Sequence, residues 1–115
     1  MYKFSYTEVL EHSPESDRQN ERRAIDHSIE LLRRAEAAGP ESREASEAYY
    51  FVSRLWSILL EDLGKPENDL PQEIKAQIIS IGIWILKELE AIRSGERQGF
   101  SGLIVVSESI AEGLK

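Results

Sequence analysis

The chain of 115 residues contains no cysteine, which excludes a disulfide framework, a thiolate metal site and a cysteine nucleophile and leaves packing as the source of its stability. Histidine is nearly as scarce. Only His12 and His27 occur, each opening an H-x-x-E stretch, "HSPE" and "HSIE". Di-metal helical bundles place a glutamate three residues before the histidine, and neither histidine here has one, so both read as surface residues and no metal or other cofactor is expected. There is no phosphate-binding glycine loop, no dinucleotide turn and no nucleophile elbow. The most apolar run, "IISIGIWIL" (Ile78 to Leu86), has nine residues. That is about half of the ~20 that cross a bilayer, so no membrane contact is expected. The start "MYKFSYTEVLEHSPES" lacks a basic segment followed by an apolar one and does not read as a secretory signal. A soluble, cytoplasmic chain is expected.

An excess of positive charge is missing too. Against 21 acidic side chains stand 14 basic ones, a net charge of -7, and signs alternate throughout "SDRQNERRAIDHSIELLRRAE". Phosphate backbones are repelled by such a surface, so direct nucleic-acid binding is not expected. None of the carboxylates sits alone in an apolar stretch that would raise its pKa toward general-acid work, and no enzymatic activity is expected.

What the chain does have is helical periodicity. With 41% hydrophobic and 30% charged residues it suits one globular domain over residues 1–115. The first periodic segment begins near Ser16, which has capping-box spacing to Gln19, and stops at Gly39-Pro40. It has one apolar stripe of Ile25, Ile29 and Leu32, with Ala24, Ser28, Leu31 and Ala35 alongside, and Glu30 precedes Arg33 and Arg34 at pairing distance on its other faces, so it reads as a solvated outer helix. The second runs from about Ser42 to Leu63, with Ala45, Ala48, Tyr49, Val52, Leu55, Trp56, Leu59 and Leu63 on the helical period and Phe51 and Ile58 widening the stripe. The loop "GKPENDLP" (Gly64 to Pro71) offers Asn68 or Asp69 as a cap and Pro71 in the first turn of the next helix. That third helix reaches Ser94-Gly95 on a stripe of Ile74, Ile78, Ile81, Ile85, Leu89 and Ile92. Both it and the second helix read as central. A fourth begins near Ser101 with Leu103, Val106, Ile110 and Leu114 in line. The expected fold is all-α, a single-domain bundle of about four helices with a short N-terminal segment.

The two tryptophans differ. Trp56 lies in its helix's apolar stripe and reads as core, with Leu55, Leu59, Ile78, Ile81, Ile85, Leu103 and Ile110. Trp84 interrupts the polar strip that holds Ser80 and Lys87. Either the N-terminal segment or the last helix covers it, or it is an exposed anchor for a partner. Tyr2, Phe4 and Tyr6 fit an extended segment by alternation, although Tyr2, Tyr6 and Val9 fit a helical turn as well; three aromatics in six residues imply docking in cis or on a partner. Two such apolar helices either fill the core of a small bundle or leave a groove for an amphipathic helix of another protein.

The stretches "RLWSILLEDLGKPENDLP", "IISIGIWIL" and "LIVVSESIAEGL", with "MYKFSYTEVLEHSP" and "AGPESREA" before them, resemble the FlaF family of flagellar biosynthesis regulators of alphaproteobacteria over most of the chain. The match is carried by the order of several short motifs: Leu55 and Trp56, Asp62 and Leu63, Asn68 with Leu70 and Pro71, Ser80 to Trp84, and Gly113 with Leu114. Ser53 departs from an asparagine common before the Leu-Trp pair, and "VVSES" from one common before the final helix. The resemblance implies a non-enzymatic, cytoplasmic role in which family members promote flagellin synthesis and export, associate with flagellin and act opposite the regulator FlbT. A flagellin-binding, chaperone-like helical module is therefore expected, its groove edged by Trp84, Ser80 and Lys87 and roofed by Tyr2, Phe4 and Tyr6. The alternative is a homodimeric or FlbT-binding adaptor that regulates flagellin expression without contacting flagellin.

Overall fold

Apolar residues that recur every three or four positions form helices, and the glycines and prolines between them set the ends. The computed structural model describes residues 14–113, with side chains from residue 20 onward. Among these residues there are four α-helices and no strand: α1 (Pro14–Ala38), α2 (Arg43–Leu63), α3 (Gln72–Arg93) and α4 (Ser101–Gly113). Helix α1 starts at Pro14, before the expected Ser16. A proline fits there because the first turn has no hydrogen-bonded N–H to lose.

The punctuation is specific. Gly39 ends α1 with φ of 106° and donates its N–H to the Ala35 carbonyl at 2.8 Å. The left-handed conformation makes glycine the favoured residue there. Ser42 caps α2, its Oγ accepting from the Ala45 N–H at 3.0 Å and donating to the Gly39 carbonyl at 2.6 Å. At the start of α3 the expected caps are not used. Pro71 occupies the cap position without a side-chain bond, while Asn68 organises the preceding loop. Its Oδ1 accepts from the Leu70 N–H at 3.1 Å and its Nδ2 donates to Asp62 at 3.3 Å.

Helix α1 packs on α2 and α4, and α2 also packs on α3. This corrects two sequence expectations. Far from being an outer helix, α1 buries Ile25, Ser28, Leu32 and Ala35 between two neighbours. Its small residues let both approach closely, which its low average hydrophobicity conceals. Conversely, α3 is not central among the described residues: there its one extensive contact is with α2, and its buried row runs from Gly82 through Ile85 and Leu89 to Ile92. Hydrophobicity all round the helix leaves Ile74, Ile83 and Trp84 exposed.

Helix α4 is short and tied down at its start. Glu36 of α1 accepts the Phe100 N–H, so a carboxylate sits at the positive end of α4, where an anion is stabilised. Phe100 is buried beside Tyr49, with ring centroids 5.8 Å apart, and the Tyr49 hydroxyl donates to the Pro40 carbonyl at 3.1 Å. Arg33 does not pair within α1 but bridges to Glu108 of α4.

Candidate functional site

The closest approach between α2 and α3 is at Gly82. A Cβ on this residue would stand 2.8 Å from Leu60 Cδ2 and 2.9 Å from Trp56 Cε3, so only glycine lets the two helices meet there. N-terminal to that point α3 contributes no buried residue, and its apolar side chains stand half-free beside α2. The result is a cleft of about 120 Å³ whose wall and floor come from Trp56, Leu59 and Leu63 of α2 and Ile78 and Ile81 of α3, closed by Ile25 of α1 and Ile110 of α4. Leu70, held outward by the Asn68 turn, forms its edge. Its polar residues are Glu21, Asp62 and Asn68.

Two other hollows carry less chemistry. A larger, shallow one of about 800 Å³ runs between α1 and α4, but its charges pair with each other as Arg22–Asp26, Arg34–Glu30 and Arg33–Glu108. One of about 210 Å³ lies between the α1–α2 and α3–α4 turns, and its two arginines are engaged by Glu90 and Glu88. The hydrogen-bonded Glu90 carboxylate holds the Arg93 pKa above its ordinary value. Among the described residues no group of acidic and histidine side chains could hold a metal ion, and no helix is long and apolar enough to cross a membrane. His27 stands near Glu30 and edge-on to Phe51 at 4.8 Å, an ordinary surface environment.

The residues singled out from sequence divide between cleft, core and surface. Leu55, Trp56, Ile85 and Leu103 are fully buried. Leu59, Ile78, Ile81 and Ile110, expected inside the core, pack against it but stay partly exposed as the cleft lining. Trp84 is 38% exposed on α3, with Ser80 and Lys87 exposed on the same face. A side chain on Gly102 would begin 3.8 Å from the tip of the Trp84 ring, so the first turn of α4 lies against the indole. Tyr2, Phe4 and Tyr6 lie outside the described residues. Sequence reasoning passed over Glu36, Phe100 and the exposed Ile83 and Val105. A lone phenylalanine between a loop and a helix start was the available signal for Phe100.

Fold and cleft together define a small protein that is all-helical among its described residues, with an apolar cleft between α2 and α3. The chain belongs to the FlaF family: the family model described as flagellar protein FlaF matches residues 2–114. Membership implies a role in flagellar biosynthesis. No curated protein and no solved structure matches the chain.

Proposed function

We propose that this protein promotes flagellin synthesis and export by binding flagellin as a chaperone-like module in the cytoplasm, acting opposite FlbT. The observation that carries this reading is the cleft along α2, α3 and α4, apolar in its walls and flanked by the exposed Trp84. Apolar faces of amphipathic helices dock in such grooves, and the terminal helices of flagellin are of that kind. They must be kept from polymerising before export, which a groove accomplishes by covering them. An acidic surface of net charge -7 argues that any effect on flagellin messenger RNA runs through protein partners.

Calorimetric titration with monomeric flagellin at two salt concentrations tests this. Saturable binding with a negative heat-capacity change and weak salt dependence is expected from apolar burial. Absence of binding overturns the reading. Trp84→Ala should then weaken binding by about 2 kcal/mol, about 30-fold, the loss typical of an interface anchor.

A second reading is favoured by the exposure of Ile83, Trp84 and Val105 outside the cleft. These residues suit a subunit interface, so the protein would be a homodimeric or FlbT-binding adaptor. Light scattering distinguishes the two, since a dimer that buries Trp84 also removes it from contact with flagellin.

A further inference from the structure

One side chain at the mouth of the cleft is bonded at both ends of its amide. The loop from Gly64 to Pro71 joins α2 to α3 and is drawn in by backbone bonds, from the Lys65 N–H to the Asp62 carbonyl at 3.2 Å and from the Asn68 N–H to the Lys65 carbonyl at 3.1 Å. The Asn68 side chain then works in two directions. Its Oδ1 accepts from the Leu70 N–H at 3.1 Å, and its Nδ2 donates at 3.3 Å to the Asp62 carboxylate in the last turn of α2. All three residues line the cleft. Leu70 stands 41% exposed at its edge, an apolar side chain that the loop holds at the opening rather than in the core. A hydrogen bond to a charged acceptor is stronger than one between neutral groups, so the Asn68 amide fixes Leu70 relative to α2 besides shaping the turn.

We propose that Asn68 is a positioning residue that sets the mouth of the cleft by clasping Asp62, and that Leu70 is the side chain it presents to the partner. The contact role of Leu70 rests on the proposed function, with the apolar face of a flagellin helix as the occupant. A rim ordered before binding spares the ordering cost that a slack loop incurs when the partner arrives. Pro66 and Pro71 restrict the loop on either side of Asn68, but a proline has no N–H, and neither can supply the donor that reaches α2.

Exchanging the two partners of the clasp tests this in the full chain. Asn68→Asp keeps an oxygen for the Leu70 N–H but sets a second carboxylate against Asp62, so the donor to α2 is lost and repulsion takes its place. Adding Asp62→Asn restores one donor and one acceptor with their places reversed. Backbone nitrogen relaxation should give the Leu70 amide an order parameter of ~0.85 in the natural chain and below ~0.6 in Asn68→Asp, with recovery in the double variant and helical circular dichroism unchanged throughout. In calorimetric titration with monomeric flagellin, Asn68→Asp should weaken binding about tenfold, and the exchanged pair should recover it. Leu70→Ser should cost a similar factor and, combined with Asn68→Asp, add little, because the two act through one contact. A Leu70 amide that is already mobile in the natural chain, or that stays rigid in Asn68→Asp, overturns the proposal. Full flagellin affinity in Asn68→Asp or in Leu70→Ser, or losses that add, overturns it as well and leaves the flagellin reading intact. If the natural chain binds no flagellin while the relaxation pattern holds, the flagellin reading falls and takes the contact role of Leu70 with it, and the clasp of Asn68 on Asp62 stands.

Discussion

Gly82 shows at the scale of one residue how the cleft arises. Alanine is the better helix former by about 1 kcal/mol, yet its Cβ would stand 2.9 Å from the rigid ring of Trp56, which is buried, as well as 2.8 Å from Leu60, which is partly exposed and can swing aside. Overpacking of this kind costs about 1–3 kcal/mol. Gly82→Ala should therefore lower Tm by several degrees, at about 4–8 °C per kcal/mol, and an unchanged Tm would mean that α3 slides along α2 without loss. The tryptophans respond oppositely to truncation. Trp56→Ala should destabilise by about 3–5 kcal/mol, since it empties an aromatic from the core, whereas Trp84→Ala, losing a half-exposed ring, should leave the fold standing and show its effect in partner binding. Equal melting losses would break that division. Tyr49 adds a pH dependence. Burial raises its pKa above the ordinary 10.0, with Arg93 pulling the other way, so the folded state holds the phenol proton more tightly than the unfolded state does. The resulting stability is fully present below pH 10 and is lost as pH rises through the raised value. In urea titrations the advantage of the natural chain over Tyr49→Phe should shrink above pH 10; an advantage that stays constant would assign the effect to packing alone.

Between helices, the contact with the clearest energetic signature joins Glu36 to the start of α4. A lost N-terminal cap typically costs about 0.5–2 kcal/mol, so Glu36→Ala should destabilise by about 1 kcal/mol, and Glu36→Gln, which keeps an acceptor but not the charge, by less. Equal losses in the two variants, read from chemical denaturation, would show that the charge contributes nothing. This contact spans 64 residues, and its invisibility in the sequence is instructive. Helix ends were legible because local chemistry sets them: Gly39, Ser42, Gly95 and the loop around Asn68 act within a few residues of themselves. Which helix lies inside was not, because a stripe such as Ile74, Ile78 and Ile81 says that one face is apolar and nothing about what covers it. The same gap explains why Leu59, Ile78, Ile81 and Ile110 read as core and line a cleft instead. Of the candidate site, the position of Trp84 in a polar strip left open whether another segment covers it or it stands exposed; the residue is 38% exposed, with the first turn of α4 against the tip of its ring. The acidic rim of Glu21 and Asp62 was not legible, since it is assembled from two helices.

Among the described residues the extensive helix contacts run in series, from α4 to α1 to α2 to α3, with α3 at one end. Helix α4 occupies the other end but is held by the Glu36 cap, the Arg33–Glu108 bridge and the buried Phe100. Stability should therefore be graded along the series, because regions with few buried apolar contacts open without global unfolding. Native-state hydrogen exchange reads this directly. Amides from Ile78 to Ile81, in the half of α3 that has no buried residue, should exchange through a local opening whose free energy falls short of the global value by about 3 kcal/mol, about 100-fold in rate. Amides around Val52 and Leu55 in α2 should exchange only with global unfolding. Uniform protection across both helices would show that α3 is welded to the bundle and that the cleft is rigid. The graded outcome would mean that, among the described residues, the cleft wall carrying Ile78 and Ile81 opens at less cost than the α1–α2–α4 stack, so the width of the cleft would vary while that stack stays folded.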